Sequence, residues 1–83
     1  MRLTLRFFAS IREAVGHAAE PYDGPAPTLA ALRDELIGRG TPYAGVLARG
    51  KAVRMALNQR MCTEDATLVE AAEVAFFPPV TGG

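Results

Sequence analysis

Two runs of alternating apolar and polar residues, one at each end of the chain, constrain its fold more than any other feature. In Arg2-Leu3-Thr4-Leu5-Arg6-Phe7 the side chains of Leu3, Leu5 and Phe7 fall on one face and those of Arg2, Thr4 and Arg6 on the other, the period of a half-buried strand. Phe8 breaks the alternation. Near the other end, Glu73-Val74-Ala75-Phe76-Phe77 puts Val74 and Phe76 together, and Pro78-Pro79 then stops any ladder because neither proline has an N–H to donate. With 83 residues there is room for one domain and one modest core, burying roughly 60–65% of the surface of the unfolded chain. Strands at both ends with helical patterning between them point to an α+β sheet with one helix packed across it.

The intervening sequence supplies the rest of the expected order. Ser10-Ile11-Arg12-Glu13 has capping-box spacing and Gly16 can supply a left-handed stop, so a short helix is expected there. His17 to Tyr22 reads as weakly extended, followed by a turn-rich stretch with Asp23, Gly24, Pro25 and Pro27. Thr28 opens the main helix, in which Leu29, Leu32 and Leu36, with Ile37 beside them, make the apolar stripe. Arg33, Asp34 and Glu35 are expected on the opposite side, and Gly38 and Gly40 end the run. Residues 43–49 suggest one more helical turn. Val53 to Asn58 alternates as a strand with Val53, Met55 and Leu57 inward, Asn58-Gln59 is a turn, and a short strand follows near Met61. The expected organisation is a domain over 1–77 and an extended tail over 78–83.

Composition excludes several function classes. Nine basic residues balance nine acidic ones, so there is no global field and nucleic acid is not the expected main partner. The single cysteine, Cys62, rules out an internal disulfide and any multi-cysteine metal or cluster site; it reads as a small semi-buried thiol. No metal site is expected, since His17 has no second ligand at suitable spacing. Met1-Arg2 leads straight into the first strand, without an apolar run long enough for a signal peptide or membrane span, so the expected compartment is the cytoplasm and no membrane contact is expected. Arg49, Lys51, Arg54 and Arg60 make a basic stretch that reads first as a solvated face and second as a surface for an acidic partner or a phosphate. No paired-carboxylate, Cys-His or phosphate-loop constellation is present, which argues against stand-alone catalysis.

The remaining candidate is the tail. Pro78-Pro79 favours an extended segment, and the six residues after Phe77 reach about 20 Å at roughly 3.3 Å each. The Gly82-Gly83 tip has no Cβ and allows close approach to a nucleotide or catalytic groups inside another protein. Taken alone, such a tip reads equally well as a frayed terminus.

The run from Glu73 through Phe77, Pro78, Pro79, Val80, Thr81, Gly82 and Gly83 resembles the C-terminus of the molybdopterin synthase small-subunit family, ubiquitin-like sulfur carriers of molybdenum cofactor biosynthesis. Leu5-Arg6-Phe7-Phe8-Ala9 with Arg12-Glu13 and Gly16 is similar to the family's first strand and helix, and Ala56-Leu57-Asn58-Gln59 resembles its middle strand and turn. One departure stands out: the family usually has Gly-Asp-Glu before the last strand, where this chain has Ala71-Ala72-Glu73, so a left-handed residue there would cost on the order of 1 kcal/mol.

The resemblance implies a β-grasp fold and a Gly83 carboxylate that an activating enzyme adenylates with ATP, before sulfur from a donor converts it to a thiocarboxylate. The tail would then enter the large subunit of molybdopterin synthase, in a heterotetramer, and deliver sulfur to the pterin precursor bound there. No cofactor would be bound by this chain; the ATP belongs to the activating enzyme. Since the terminal strands of a β-grasp sheet lie side by side, Phe8 and Phe77 would be outward neighbours, giving a docking surface with Met61 and Arg12 nearby and Pro78, Pro79, Val80, Thr81 and Gly82 engaging the partner. Two alternatives remain open: a sulfur carrier for thiazole synthesis or tRNA thiolation, and an interaction module whose tail is idle.

Overall fold

The computed structural model describes residues 1–79. The elements are β1 (Arg2–Phe7), α1 (Ala9–Val15), β2 (Ala19–Asp23), α2 (Leu29–Gly38), α3 (Tyr43–Val46), β3 (Arg54–Leu57), β4 (Arg60–Cys62) and β5 (Glu73–Phe77). They build one mixed five-stranded sheet in the order β2-β1-β5-β3-β4. The two terminal strands pair in parallel at its centre, with Leu5 opposite Val74 and Phe7 opposite Phe76. β2 pairs with β1, and β3 with both β5 and β4, all antiparallel. Pro21 is tolerated because β2 is an edge strand, where a missing N–H breaks no ladder.

Strand alternation sorts the two faces as expected. Leu3, Leu5, Phe7, Met55, Val74 and Phe76 are buried on the inner face, where Phe7 and Phe76 stack with ring centroids 5.9 Å apart. The α2 stripe of Leu29, Leu32 and Leu36 joins the same core. Val53 and Leu57 point the same way but are only half-buried at its margin. Leu47 and Leu68, both in segments without strand periodicity, join the core, as do Ile11, Tyr22, Ala26 and Ala72.

The start of α2 depends on a distant loop. Thr28 Oγ1 accepts from Ala31 N at 3.2 Å, while Leu29 N and Ala30 N donate to the carbonyls of Ala66 and Glu64. The first-turn N–H groups that a helix leaves unpartnered are thereby satisfied, and the 63–68 segment is tied across the end of the helix. At α1 the expected capping box does not form. Phe8 N still bonds Phe76 O, so the ladder runs one residue past β1; the chain then turns through Ala9 at φ +52° and Phe8 becomes the N-cap, with no side-chain cap. Ser10 is therefore already inside the helix and cannot cap it. Gly16 does provide the left-handed stop, at φ +94° with its N–H on Arg12 O.

Arg33 corrects the expected polar face of α2. It is buried at 3% exposure, and its guanidinium donates to the carbonyls of Leu47 (2.7 Å), Ala48 (2.7 Å) and Lys51 (3.0 Å) and to Glu64 (3.2 Å). A fork of fixed N–H donors suits a loop that presents several carbonyls to one point. Glu64 in turn pairs with Arg49, which also binds Asp34. Part of the basic stretch is thus committed to holding the 47–51 loop onto α2.

Candidate functional site

The parallel pairing of β1 with β5 decides the outer face. Because Phe7 lies opposite Phe76, the next residues, Phe8 and Phe77, emerge side by side, and their rings stack at 4.6 Å with an interplanar angle of 11°. Offset stacking of this kind adds about 0.5–1.5 kcal/mol beyond area burial, which holds the pair together as one apolar unit. On the same outer face Ala56 and Ala75 sit opposite each other across β3 and β5, 3% and 6% exposed, and line a further depression with Phe8, Met61 and Phe77. Met61, opposite Ala56 on β4, stands 57% exposed at the rim.

The result is an apolar groove of about 510 Å³ lined by Phe8, Arg54, Met61, Phe77 and Pro78-Pro79. A second groove, of about 240 Å³, lies against the same two prolines and is walled by Ile11, Val46, Lys51 and Val53. The root of the tail therefore rises between two depressions. Away from this end the outer face turns polar, with Arg6 paired to Glu73 and Arg2 to Glu70. Glu70, which accepts a hydrogen bond from the backbone N–H of Arg2 and then from its side chain, is held below the usual carboxylate range.

Of the residues singled out by sequence, Phe8, Met61, Phe77, Pro78 and Pro79 converge on the larger groove. Arg12 does not: it is exposed in the last turn of α1, and the cation lining the groove is Arg54, opposite Phe77 in the β3–β5 register. Strand parity carried the signal for Arg54, which shares the outer face with Ala56. Val80, Thr81, Gly82 and Gly83 lie outside the described residues. Cys62 is half-buried with its pKa pushed up by burial, the opposite of an activated nucleophile. His17 sits edge-on to Phe7 and 3.5 Å from Glu20. Among the described residues no group of three or more His, Cys, Asp or Glu side chains could hold a metal ion, and no helix is long and apolar enough to cross a membrane.

The family model of the ThiS family matches residues 5–83, from the first strand through the last glycine. The chain belongs to the ThiS family. It is similar to the molybdopterin synthase sulfur carrier subunit of Escherichia coli (strain K12), 43% identical over 77 residues that cover 93% of this chain and 94% of that protein. It is also similar to the molybdopterin synthase sulfur carrier subunit of Haemophilus influenzae, 37% identical over 81 residues covering 98% and 99% of the two chains. Among solved structures it resembles a chain of the complex of subunits 1 and 2 of the molybdopterin-converting factor from Helicobacter pylori, with a TM-score of 0.66, 23% identity and full coverage of both chains. The fold is the ubiquitin-like β-grasp, an α+β mixed sheet with its main helix on the inner face.

Proposed function

We propose that this chain is the sulfur-carrier small subunit of a molybdopterin synthase and works through its Gly83 carboxylate. The observation that carries this reading is the similarity, at 43% and 37% identity over nearly the whole chain, to two molybdopterin synthase sulfur carrier subunits, within a family match that runs to Gly83. The geometry supports it: the strand that ends in the tail is clamped at the centre of the sheet, and its root is flanked by exposed apolar grooves suited to docking.

The chemistry follows from what a carboxylate lacks. A free carboxylate is a poor electrophile. The activating enzyme joins a Gly83 oxygen to the α-phosphate of ATP and releases pyrophosphate; a donor supplying sulfur at the oxidation level of sulfide then attacks the carbonyl carbon, and AMP leaves. The thiocarboxylate so formed is an anionic sulfur nucleophile held on the main-chain terminus. The tail delivers it to a pterin precursor bound by the large subunit, and docking makes the transfer effectively intramolecular. This chain contributes the handle and the carried atom, binds no cofactor itself, and works in the cytoplasm.

The test is intact mass measurement of the chain produced with its activating enzyme and sulfur donor. A gain of about 16 Da, oxygen replaced by sulfur, is expected, together with loss of sulfur transfer on deleting Gly83. Persistence of transfer without Gly83 would overturn the proposal in favour of an idle tail. Pull-down of a thiazole- or tRNA-thiolation enzyme in place of a molybdopterin synthase large subunit would move the chain to another sulfur pathway.

A further inference from the structure

We infer that the tail root carries a cationic collar, Arg54 and Lys51, that selects a large subunit whose docking face surrounds an apolar centre with carboxylates. The inference rests on the proposed function for the existence of that partner and adds its chemistry and a specificity-determining pair of residues.

The chain has equal numbers of acidic and basic residues, yet its charges do not cancel locally. Arg2, Arg6, Arg33, Arg39 and Arg49 each have an acidic partner. Among the described residues Arg12, Lys51, Arg54 and Arg60 have none. The acids left over are Glu13, Glu35 and Asp65, and two of these are already used as acceptors, Glu35 by Tyr22 and Asp65 by Thr63.

Two of the four leftover cations stand at the tail. Arg54 is the one charged residue lining the larger groove and Lys51 the one charged residue lining the smaller, and the two grooves share Pro78 and Pro79. No acid lines either groove. Arg54 stands beside Phe77, so a protein that covers the Phe8–Phe77 surface must also meet its guanidinium. Meeting it with an apolar or basic surface would strand a charge at the rim of a dry interface; meeting it with a carboxylate supplies a charge-assisted hydrogen bond. Lys51 applies the same requirement on the other side of the tail. Its backbone carbonyl is gripped by Arg33, which fixes the position from which the side chain projects.

Charges at an interface rim act chiefly on association rate and its salt dependence, whereas buried apolar contacts act on dissociation. The experiment is stopped-flow or surface-based binding of the intact chain to its own large subunit across a salt series. For Arg54→Glu combined with Lys51→Glu, the association rate is expected to fall about tenfold at low salt, with the difference from wild type largely gone near 0.5 M salt, where the screening length is about 4 Å. Phe77→Ala should instead raise the dissociation rate at every salt concentration. Arg2→Glu, equal in charge change to Arg54→Glu alone, reverses charge at the far end of β1 and should change the association rate less than twofold and less than Arg54→Glu does, separating the local collar from net charge. Thermal melts of each variant check folding, and the lysine- and arginine-to-glutamine pair gives a milder version should the reversal unfold.

Wild-type binding whose association rate ignores salt, or a collar reversal that binds as fast as wild type or faster, overturns this inference and leaves the sulfur-carrier reading standing. Failure of the wild-type chain to bind the large subunit at all overturns both. A salt-sensitive association lost on reversing Arg54 and Lys51, and kept on reversing Arg2, establishes the collar.

Discussion

Replacing Ala71 by glycine is expected to stabilise the domain. Ala72 N donates to Val69 O and closes a four-residue turn just before β5, with Ala71 in its third position at φ +66°. A positive φ there, as in a type II turn, favours glycine because Cβ crowds the neighbouring carbonyl, at a cost of about 1–2 kcal/mol for other residues. Glycine relieves that strain but has more unfolded-state freedom to lose, about 0.4–1 kcal/mol. Ala71 is exposed, so no packing is sacrificed, and its N–H can keep its 2.7 Å bond to Arg2 O. The net gain is about 0.5–1 kcal/mol, or a Tm rise of roughly 2–8 °C for a domain this small. The neighbouring substitution Ala72→Gly should do the reverse. Ala72 is 2% exposed and lacks a positive φ, so it loses a buried methyl worth about 0.8 kcal/mol as well as backbone entropy. Urea and thermal denaturation of both variants at unchanged m-value decide the matter. Should Ala71→Gly prove neutral or destabilising while Ala72→Gly destabilises, the left-handed strain assigned to Ala71 is wrong.

Two further outcomes are expected. Arg33→Met strands the carbonyls of Leu47, Ala48 and Lys51 in a buried site and should cost about 3–5 kcal/mol by urea denaturation; a loss below about 1 kcal/mol would mean that water replaces the guanidinium. Tyr22 and Tyr43 have raised pKa values, first through burial and then through hydrogen bonds to Glu35 and Glu20. The folded protein holds these protons more tightly than the unfolded chain does. Their contribution is therefore complete below the unfolded tyrosine value near 10 and is lost as pH rises past it toward the folded values. Stability measured at pH 8, 10 and 11 should fall at the alkaline end, and the double replacement by phenylalanine should flatten that fall.

How much of this was legible in the sequence depends on whether the interaction involved is local. Period-2 alternation assigned Leu3, Leu5, Phe7, Val74 and Phe76 to the core, since neighbouring strand residues face opposite ways whatever they pair with. The helical stripe, the Thr28 cap and the Asn58-Gln59 turn were readable for the same reason; both turn residues take positive φ, +49° and +69°, as a type I′ hairpin turn requires. The departure at Ala71 was visible because a turn's demand on φ is a property of one residue. The terminal glycines, with the residues leading to them, named the family.

Only the tertiary structure could decide the rest. Arg33 has the sequence of a solvated helix residue, and it is buried because a loop 14 to 18 residues away brings three carbonyls to its guanidinium. The capping box was overruled by one inter-strand bond, Phe8 N to Phe76 O, which moved the start of α1. Arg54 lines the groove beside Phe77 because strand register, set by partners far along the chain, determines which cation reaches it. The sequence by itself determined which face each residue takes and what the tail can carry; the fold determined what surrounds the tail, because periodicity records a residue's direction and only long-range pairing supplies its neighbours.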